Sequence, residues 1–296
     1  MSKIEVRAYR GALPQAYSAL MPKELLSFMQ ELPPSFAALG ASLGERPVGL
    51  AVASLHADGP AAAKAANLRA LEIDARYRRQ GIGRQLLGML EQLLRENGAA
   101  GIRAEYVGPA EPDSMKAAFL RNCGFAAPTP GIHVWSGPLR EILEDLPRIR
   151  RLEMPAEFSC GPLSGLRPGE RAAIAQGKGV WYPPILDPFA EEECIDQEHS
   201  LILRYRDVPV GWIILERFDE RTVLFKSMFV REKHQRLARA IALGVEAGRR
   251  IIAEGKLTEG IYFVEADNED MVRFMNRHID HPAIHKEILW RTVKSL

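Results

Sequence analysis

One arrangement occurs twice along this chain, and it constrains the fold more than any single motif does. Glu45-Arg46-Pro47-Val48-Gly49, leading into the apolar run Leu50–Leu55, has a counterpart in Arg206-Asp207-Val208-Pro209-Val210-Gly211, leading into Trp212–Leu215. Each reads as a tight turn opening into a buried strand: turn residues first, then a continuous apolar run too short for an ordinary helix. Leu71-Glu72-Ile73-Asp74, with a basic loop and a long helix after it, is matched by Met228-Phe229-Val230-Arg231 with its own loop and helix, Ile73 being set against Phe229. Asp113–Phe119 is matched in turn by Asn268–Phe274. Three pairs in one order, offset by roughly 155 to 162 residues, predict a duplicated domain of about 150 residues. The expected halves are 1–148 and 149–296, divided where Pro147 and Pro155 flank the charged stretch Arg148–Glu153.

Within each half the pattern is that of an α/β unit with a mixed α+β sheet. Ile82, Leu86, Leu87, Leu90, Leu93 and Leu94 recur at helical spacing and give one apolar stripe. Asn97-Gly98 supplies residues that tolerate positive φ and so stop that helix. Gly101–Val107 then reads as a strand, which makes strand, loop, helix and strand a βαβ crossover. The second half repeats the scheme, with a helix apolar at Leu237, Ile241, Val245, Ile251 and Ile252 that ends at Glu254-Gly255, and a strand over Gly260–Glu265.

Composition narrows the function classes. A formal net charge of +1 and the lack of a basic block give no general attraction to nucleic acid. Met1–Arg7 carries charges where a secretory leader needs an apolar run, and no stretch approaches the roughly 18 apolar residues of a membrane span. Cys123, Cys160 and Cys194 are dispersed without CxxC spacing, as suits reduced thiols. The expectation is a cytoplasmic protein without nucleic-acid or membrane partners.

The loop Arg78-Arg79-Gln80-Gly81-Ile82-Gly83 joins the strand ending at Asp74 to the helix. A helix N-terminus offers unpaired N–H groups and partial positive charge, so main chain there can hold a pyrophosphate. Gly81 and Gly83 allow close approach without Cβ obstruction, and Arg78, Arg79 and Arg84 add cations. A dinucleotide GxGxxG fingerprint would require a small residue at position 86, where Leu86 stands. With strand and helix in place, R/Q-x-x-G-x-G/A at Arg78, Gly81 and Gly83 resembles the acetyl-CoA pyrophosphate loop of the GCN5-related N-acetyltransferases (GNAT). Phe119-Leu120-Arg121-Asn122-Cys123-Gly124-Phe125 resembles that family's F-Y-x-x-x-G-F ending, with Asp113 where an Asn is common. The close likeness covers residues 71–125, and a weaker one extends over both halves as two tandem GNAT folds, the second degenerate.

The resemblance implies direct transfer of an acetyl group from acetyl-CoA, the acyl-donor substrate, to a primary amine of a small molecule or protein, with no metal. It assigns Leu71, Glu72, Ile73, Arg78, Arg79, Gln80, Gly81, Ile82, Gly83, Arg84, Asp113 and Phe119 to the coenzyme A thioester. Its pantetheine would lie in a splay between the strands at Leu71–Asp74 and Ile102–Val107. Chemistry then needs a base for the amine and an acid, or a water, for the thiolate. Glu72, reached through a water, is the preferred base. Leu120 stands where the family often places a Tyr as acid, so Tyr106 is the strand candidate; alternatively the thiolate, whose pKa is near 8.5, leaves unassisted. These departures leave a non-catalytic acyl-CoA-binding sensor or regulatory protein as the other reading.

In the second half the same strand alignment sets His234–Arg239 against Arg78–Gly83, with Leu237 and Arg239 where glycines would be, so no ordinary acetyl-CoA site is expected there. Gly177–Ala190, with Trp181, Tyr182 and Phe189 among prolines, reads as a packed loop over the second sheet rather than an acceptor cleft. His278, His281 and His285 have spacings that could suit a metal on a helix, but Pro282 interrupts it. Cys123 lacks a base partner and reads as a structural thiol. Pro22–Met29 is expected as a helix of mainly core residues.

Overall fold

The computed structural model describes residues 4–56, 65–110, 114–235 and 239–296. The chain packs as two compact units, Met1–Pro130 together with Leu289–Leu296, and Gly131–Ile288.

In the first unit β1 (Ile4–Tyr9), β2 (Phe36–Leu43), β3 (Arg46–His56) and β4 (Ala65–Ile73) form an antiparallel meander. The chain then crosses through α1 (Ile82–Glu96) to β5 (Gly101–Gly108), which joins β4 in parallel, and continues into α2 (Met115–Asn122). Gly98, at φ 81°, ends α1 as its sequence predicts. Ile82, Leu86, Leu87, Leu90 and Leu94 are buried against one sheet face. A Cβ on Gly49 of β3 would stand 2.8 Å from Leu86 and 2.9 Å from Ile73, so only glycine lets helix and strand meet there. Leu13, Tyr17, Met21, Leu25, Met29 and Leu32 cover Ala38, Leu50, Val52 and Ala70 on the other face. Residues 23–28 do so as a 3-10 turn, Lys23–Phe28, not as the α-helix expected; of the residues expected as core, Leu25 and Met29 are buried and Phe28 partly so, whereas Leu26 is exposed.

The second unit opens with β6 (Thr129–Pro138), α3 (Leu139–Glu144) and α4 (Pro147–Arg150). It continues through β7 (Phe158–Pro162), α5 (Pro168–Gln176), β8 (Leu201–Tyr205), β9 (Val208–Arg217) and β10 (Thr222–Val230). α6 (Arg239–Glu254), β11 (Glu259–Glu265) and α7 (Glu269–His278) complete it. The strand order is β6-β11-β10-β9-β8-β7, with β10 and β11 parallel. β12 (His285–Ser295) follows, and from Leu289 onward it belongs to the first unit, next to β5 in the strand order. The units therefore depart from halves cut near residue 148: β6 and α3 precede the cut but lie in the second unit, and the end of β12 lies in the first. β6 precedes the cut yet pairs with β11, while the end of β12 returns to β5.

Local irregularities repeat more faithfully than side chains. In β3 the register against β2 slips at Val48, and in β9 the register against β8 slips at Val210. In β4 the register against β3 slips at Arg69, and in β10 the register against β9 slips at Lys226. A bulge bends its strand and increases local twist, so bulges at matching places give two strands of the same shape. No helix among the described residues is long and apolar enough to cross a membrane.

Candidate functional site

β4 and β5 run in register from Ala65–Gly101 to Leu68–Ala104. Beyond that pair neither is bonded to the other among the described residues, although β4 continues to Ile73 and β5 to Gly108. The Arg69 bulge marks where they part. A parallel pair that stops leaves N–H and C=O groups on facing edges, available to a ligand that carries amides of its own.

The loop after β4 lies at the end of this gap. Asp74 accepts from the Arg76 amide at 3.0 Å and pairs with the guanidinia of Arg76 at 2.8 Å and Arg46 at 3.6 Å. Arg78 Nε donates to the Ile73 carbonyl at 3.0 Å, closing the strand end. Arg79 and Gly81 have φ of 61° and 82°, which turns the chain sharply into α1. Gly81 is the N-cap of α1 and makes no side-chain capping bond, and nothing lies within 4 Å of where its Cβ would be. The first amides of α1, which have no intrahelical acceptor, follow this open position, with Arg78, Arg79, Gln80 and Arg84 exposed around the loop. Ile82 is different: its side chain is core, and only its backbone belongs to the loop. A Cβ on Gly83 would lie 3.4 Å from the Phe119 ring, so this glycine seats α2 closely on the start of α1. Asp113 lies outside the described residues.

The two candidate proton-transfer groups flank the gap from opposite faces. Leu71 and Ile73 share the α1 face, where Ile73 lies under Gly83. Glu72 is paired with Leu50 on the other face, beside the core under the 3-10 turns, and is exposed. Tyr106 alternates with exposed Glu105 and Val107 and shares the face of Ile102 and Ala104. Its hydroxyl is buried without a hydrogen-bond partner among the described residues. Burial pushes the phenol pKa up, against weaker opposing pulls from Ser114 and Arg121. Leu120 is buried in α2 and offers no proton.

Comparison with known proteins follows the same lines. Residues 2–125 match the model of the Acetyltransferase (GNAT) family. No curated protein matches the chain. Among solved structures, a tandem GNAT protein from the clavulanic acid biosynthesis pathway superposes with a TM-score of 0.64 at 17% identity, covering 98% of both chains. A GCN5-related N-acetyltransferase from Sphaerobacter thermophilus gives 0.61 at 19% identity, covering 98% of this chain and 95% of the other. A glucosamine N-acetyltransferase region of a fungal multi-domain GH3 β-N-acetylglucosaminidase gives 0.61 at 16% identity, covering 99% of this chain and 38% of the other. The chain therefore carries the tandem GNAT fold.

The second GNAT fold corrects one alignment. Arg231 N donates to Val210 O at 2.8 Å, as Asp74 N does to Val48 O at 3.0 Å. Gln235 Nε2 donates to Val230 O at 2.8 Å, as Arg78 Nε does to Ile73 O at 3.0 Å. Val230, not Phe229, is thus the counterpart of Ile73. Ala238 and Ala240 stand at the positions of Gly81 and Gly83, one residue on from the expected Leu237 and Arg239; residues 236–238 lie outside the described ones. The slip arose because few identities anchor the two strands, and the bonds that fix the register cannot be read from sequence. Phe229 then occupies the place of Glu72, packed with Tyr182 and Trp212. Gly177–Ala190 is the packed loop expected, with Tyr182 buried. Where the first unit ends its parallel register with Leu68 and Ala104, the second ends it with Phe225 and Tyr262, whose rings stack at 4.3 Å. His278 ends α7 and His285 begins β12, so the three histidines do not share a helix.

Proposed function

We propose that the protein is an N-acetyltransferase that moves an acetyl group from acetyl-CoA directly to a primary amine of a small molecule or a protein. The observation that carries this is the joining of two features in the first unit. The β4–β5 gap ends at the N-terminus of α1, with unobstructed space over Gly81 and three arginines around it. A pyrophosphate suits the helix N-terminus, and an amide-bearing pantetheine suits unpaired strand edges. Leu71, Glu72 and Ile73 line that edge, and the loop Arg78–Arg84 with Phe119 frames the phosphate end. The second unit, with alanines in the loop and stacked rings at the end of its parallel register, serves as a partner domain without a donor site of this kind.

In this reading the amine lone pair attacks the thioester carbonyl, and the C–S bond breaks as the amide forms. The amine proton passes to Glu72 through a water on the open face. Tyr106, kept protonated by burial, supplies a proton to the thiolate from the helix face. Burial of Leu120, where the family often has a Tyr, favours the second reading, a non-catalytic acyl-CoA sensor or regulator. A thiol-release assay across a panel of amines separates the two: acceptor-dependent release of coenzyme A supports transfer, and binding without turnover on any amine supports the sensor. The same assay on Glu72→Gln tests the base, whose loss should lower kcat by about tenfold or more.

A further inference from the structure

We propose that Lys294 of β12 is a positioning residue for the donor site of the first unit, although sequence distance separates it from every other part of that site. Its Nζ bonds both carboxylate oxygens of Glu91 at 2.7 and 2.8 Å and the Cys123 carbonyl at 2.6 Å. Glu91 lies on α1, buried between the stripe residues Leu87 and Leu94, and Cys123 is the C-cap of α2. One ammonium therefore ties the helix that carries the phosphate loop to the helix that carries Phe119. The Lys294 chain also passes 3.3 Å from the Cβ position of Gly124, whose φ of 88° ends α2.

The consequence lies one turn back along α2, where the Cys123 amide bonds the Phe119 carbonyl at 3.0 Å. Phe119 meets Gly83 in the first turn of α1, so the angle between the two helices decides whether that ring seats against the loop. A tie at the C-cap of α2 and the middle of α1 fixes the angle. The rest of β12 holds Lys294 in place. Trp290 Nε1 donates to Pro109 O at 3.0 Å, Arg291 Nε to Glu105 at 3.0 Å, and Thr292 Oγ1 to Ala126 O at 2.7 Å. Donor affinity in the first unit then depends on a strand reached only after the whole second unit has been traversed. Buried Glu91 gains its full set of bonds only when that strand is present.

This inference rests on the assignment of acetyl-CoA to the Arg78–Gly83 loop, and its test separates the two. The full chain is compared with Lys294→Met and with Glu91→Gln/Lys294→Met, the second of which leaves no orphaned charge. The expected result is a KM for acetyl-CoA raised about fivefold or more, with kcat and acceptor KM within about twofold of the parent. Amide exchange should quicken over residues 115–125, with α6 unchanged as the internal control. Parent-like exchange over 115–125 overturns the tie itself. Faster exchange with parent-like acetyl-CoA affinity overturns its link to the donor site. A parent chain that binds no acetyl-CoA refutes the donor assignment, and the exchange measurement still decides the tie.

Discussion

The loops after β4 and β10 share a backbone plan and differ in what they leave open. Both follow a strand bulged at the same place, and in both a side chain reaches back to the strand end, Arg78 to Ile73 and Gln235 to Val230. The first unit then adds space: glycines at 81 and 83, and small Ala104 where the strands part. The second adds bulk: Ala238, Ala240 and the stacked Phe225–Tyr262 rings. A duplicated fold can keep its architecture through backbone geometry while a few side-chain volumes change what the matching loops leave open, which is why fold does not carry function with it.

The largest effect should come from filling the open space. Gly81→Glu places a side chain at φ 82°, at a cost of about 1–2 kcal/mol, and sets a carboxylate where the proposed function puts the phosphates. Acetyl-CoA affinity by calorimetry is expected to fall by more than about a hundredfold. The converse change, Ala238→Gly, should leave stoichiometry at one donor per chain, since Ala240 and the stacked Phe225–Tyr262 rings at the end of the parallel register remain. A second donor bound in either the parent or that variant would break the contrast between the units.

The units also differ in how they cover the sheet face away from their long helices. The first uses 3-10 turns and apolar packing, with Ser42 in β2. The second lays α5 there and, at the place of Ser42, has Arg204, whose guanidinium grips Glu170 through two 2.8 Å bonds. Arg204 holds the Glu170 carboxyl at about 2, below its ordinary 4.5. A pKa depressed on folding contributes stability that is complete above about pH 4.5 and is lost as pH falls towards 2. Allowing for solvent screening, its loss amounts to about 2 kcal/mol. Glu170→Gln should lack this acid-dependent part and unfold more easily at pH 7. Denaturation followed by tryptophan fluorescence reads mainly the second unit, through Trp135, Trp181 and Trp212. An unchanged acid profile in the variant would show that α5 is held by packing alone.

A third difference is the phenol of Tyr106, whose place in β11 is taken by buried Val264. Tyr106→Phe keeps the ring and removes only the hydroxyl. If the phenol protonates the thiolate, kcat falls by about tenfold while the KM for acetyl-CoA stays within about twofold. Unchanged kcat would mean that the thiolate leaves unassisted or through water.

Much of this was legible in the sequence, for stated reasons. The stripe from Ile82 to Leu94 could only be an amphipathic helix on a sheet, and the basic glycine loop before it could be placed without coordinates. Strand exchange was not legible, because nothing in the alternation of β6 or β12 says which sheet each joins. The register of the second loop was missed by one residue because bulges and strand-end bonds, not identities, define the equivalence. The Phe225–Tyr262 stack needed that register before its meaning showed. Lys294 left one faint signal, at its partner: Glu91 is a carboxylate set inside the apolar stripe between Leu87 and Leu94, and a charge buried there needs a cation from elsewhere.

The smallest effect is the most discriminating between charge and geometry at the loop. Arg78→Gln installs the residue that the second unit already uses, and Gln235 shows that a glutamine there can still bond the strand-end carbonyl. The substitution therefore removes a cation while leaving the loop closed. For an exposed guanidinium near a phosphate, the expected loss is about 0.5–1 kcal/mol, a two- to fivefold rise in KM for acetyl-CoA at low salt. Near 1 M salt the Debye length falls to about 3 Å, and the variant should approach the parent. Arg78→Ala removes the bond as well as the charge, so its defect should be larger and should persist in high salt. If Arg78→Gln matches the parent even at low salt, the donor does not sense the charge, and Arg78 does in the first unit only what Gln235 does in the second.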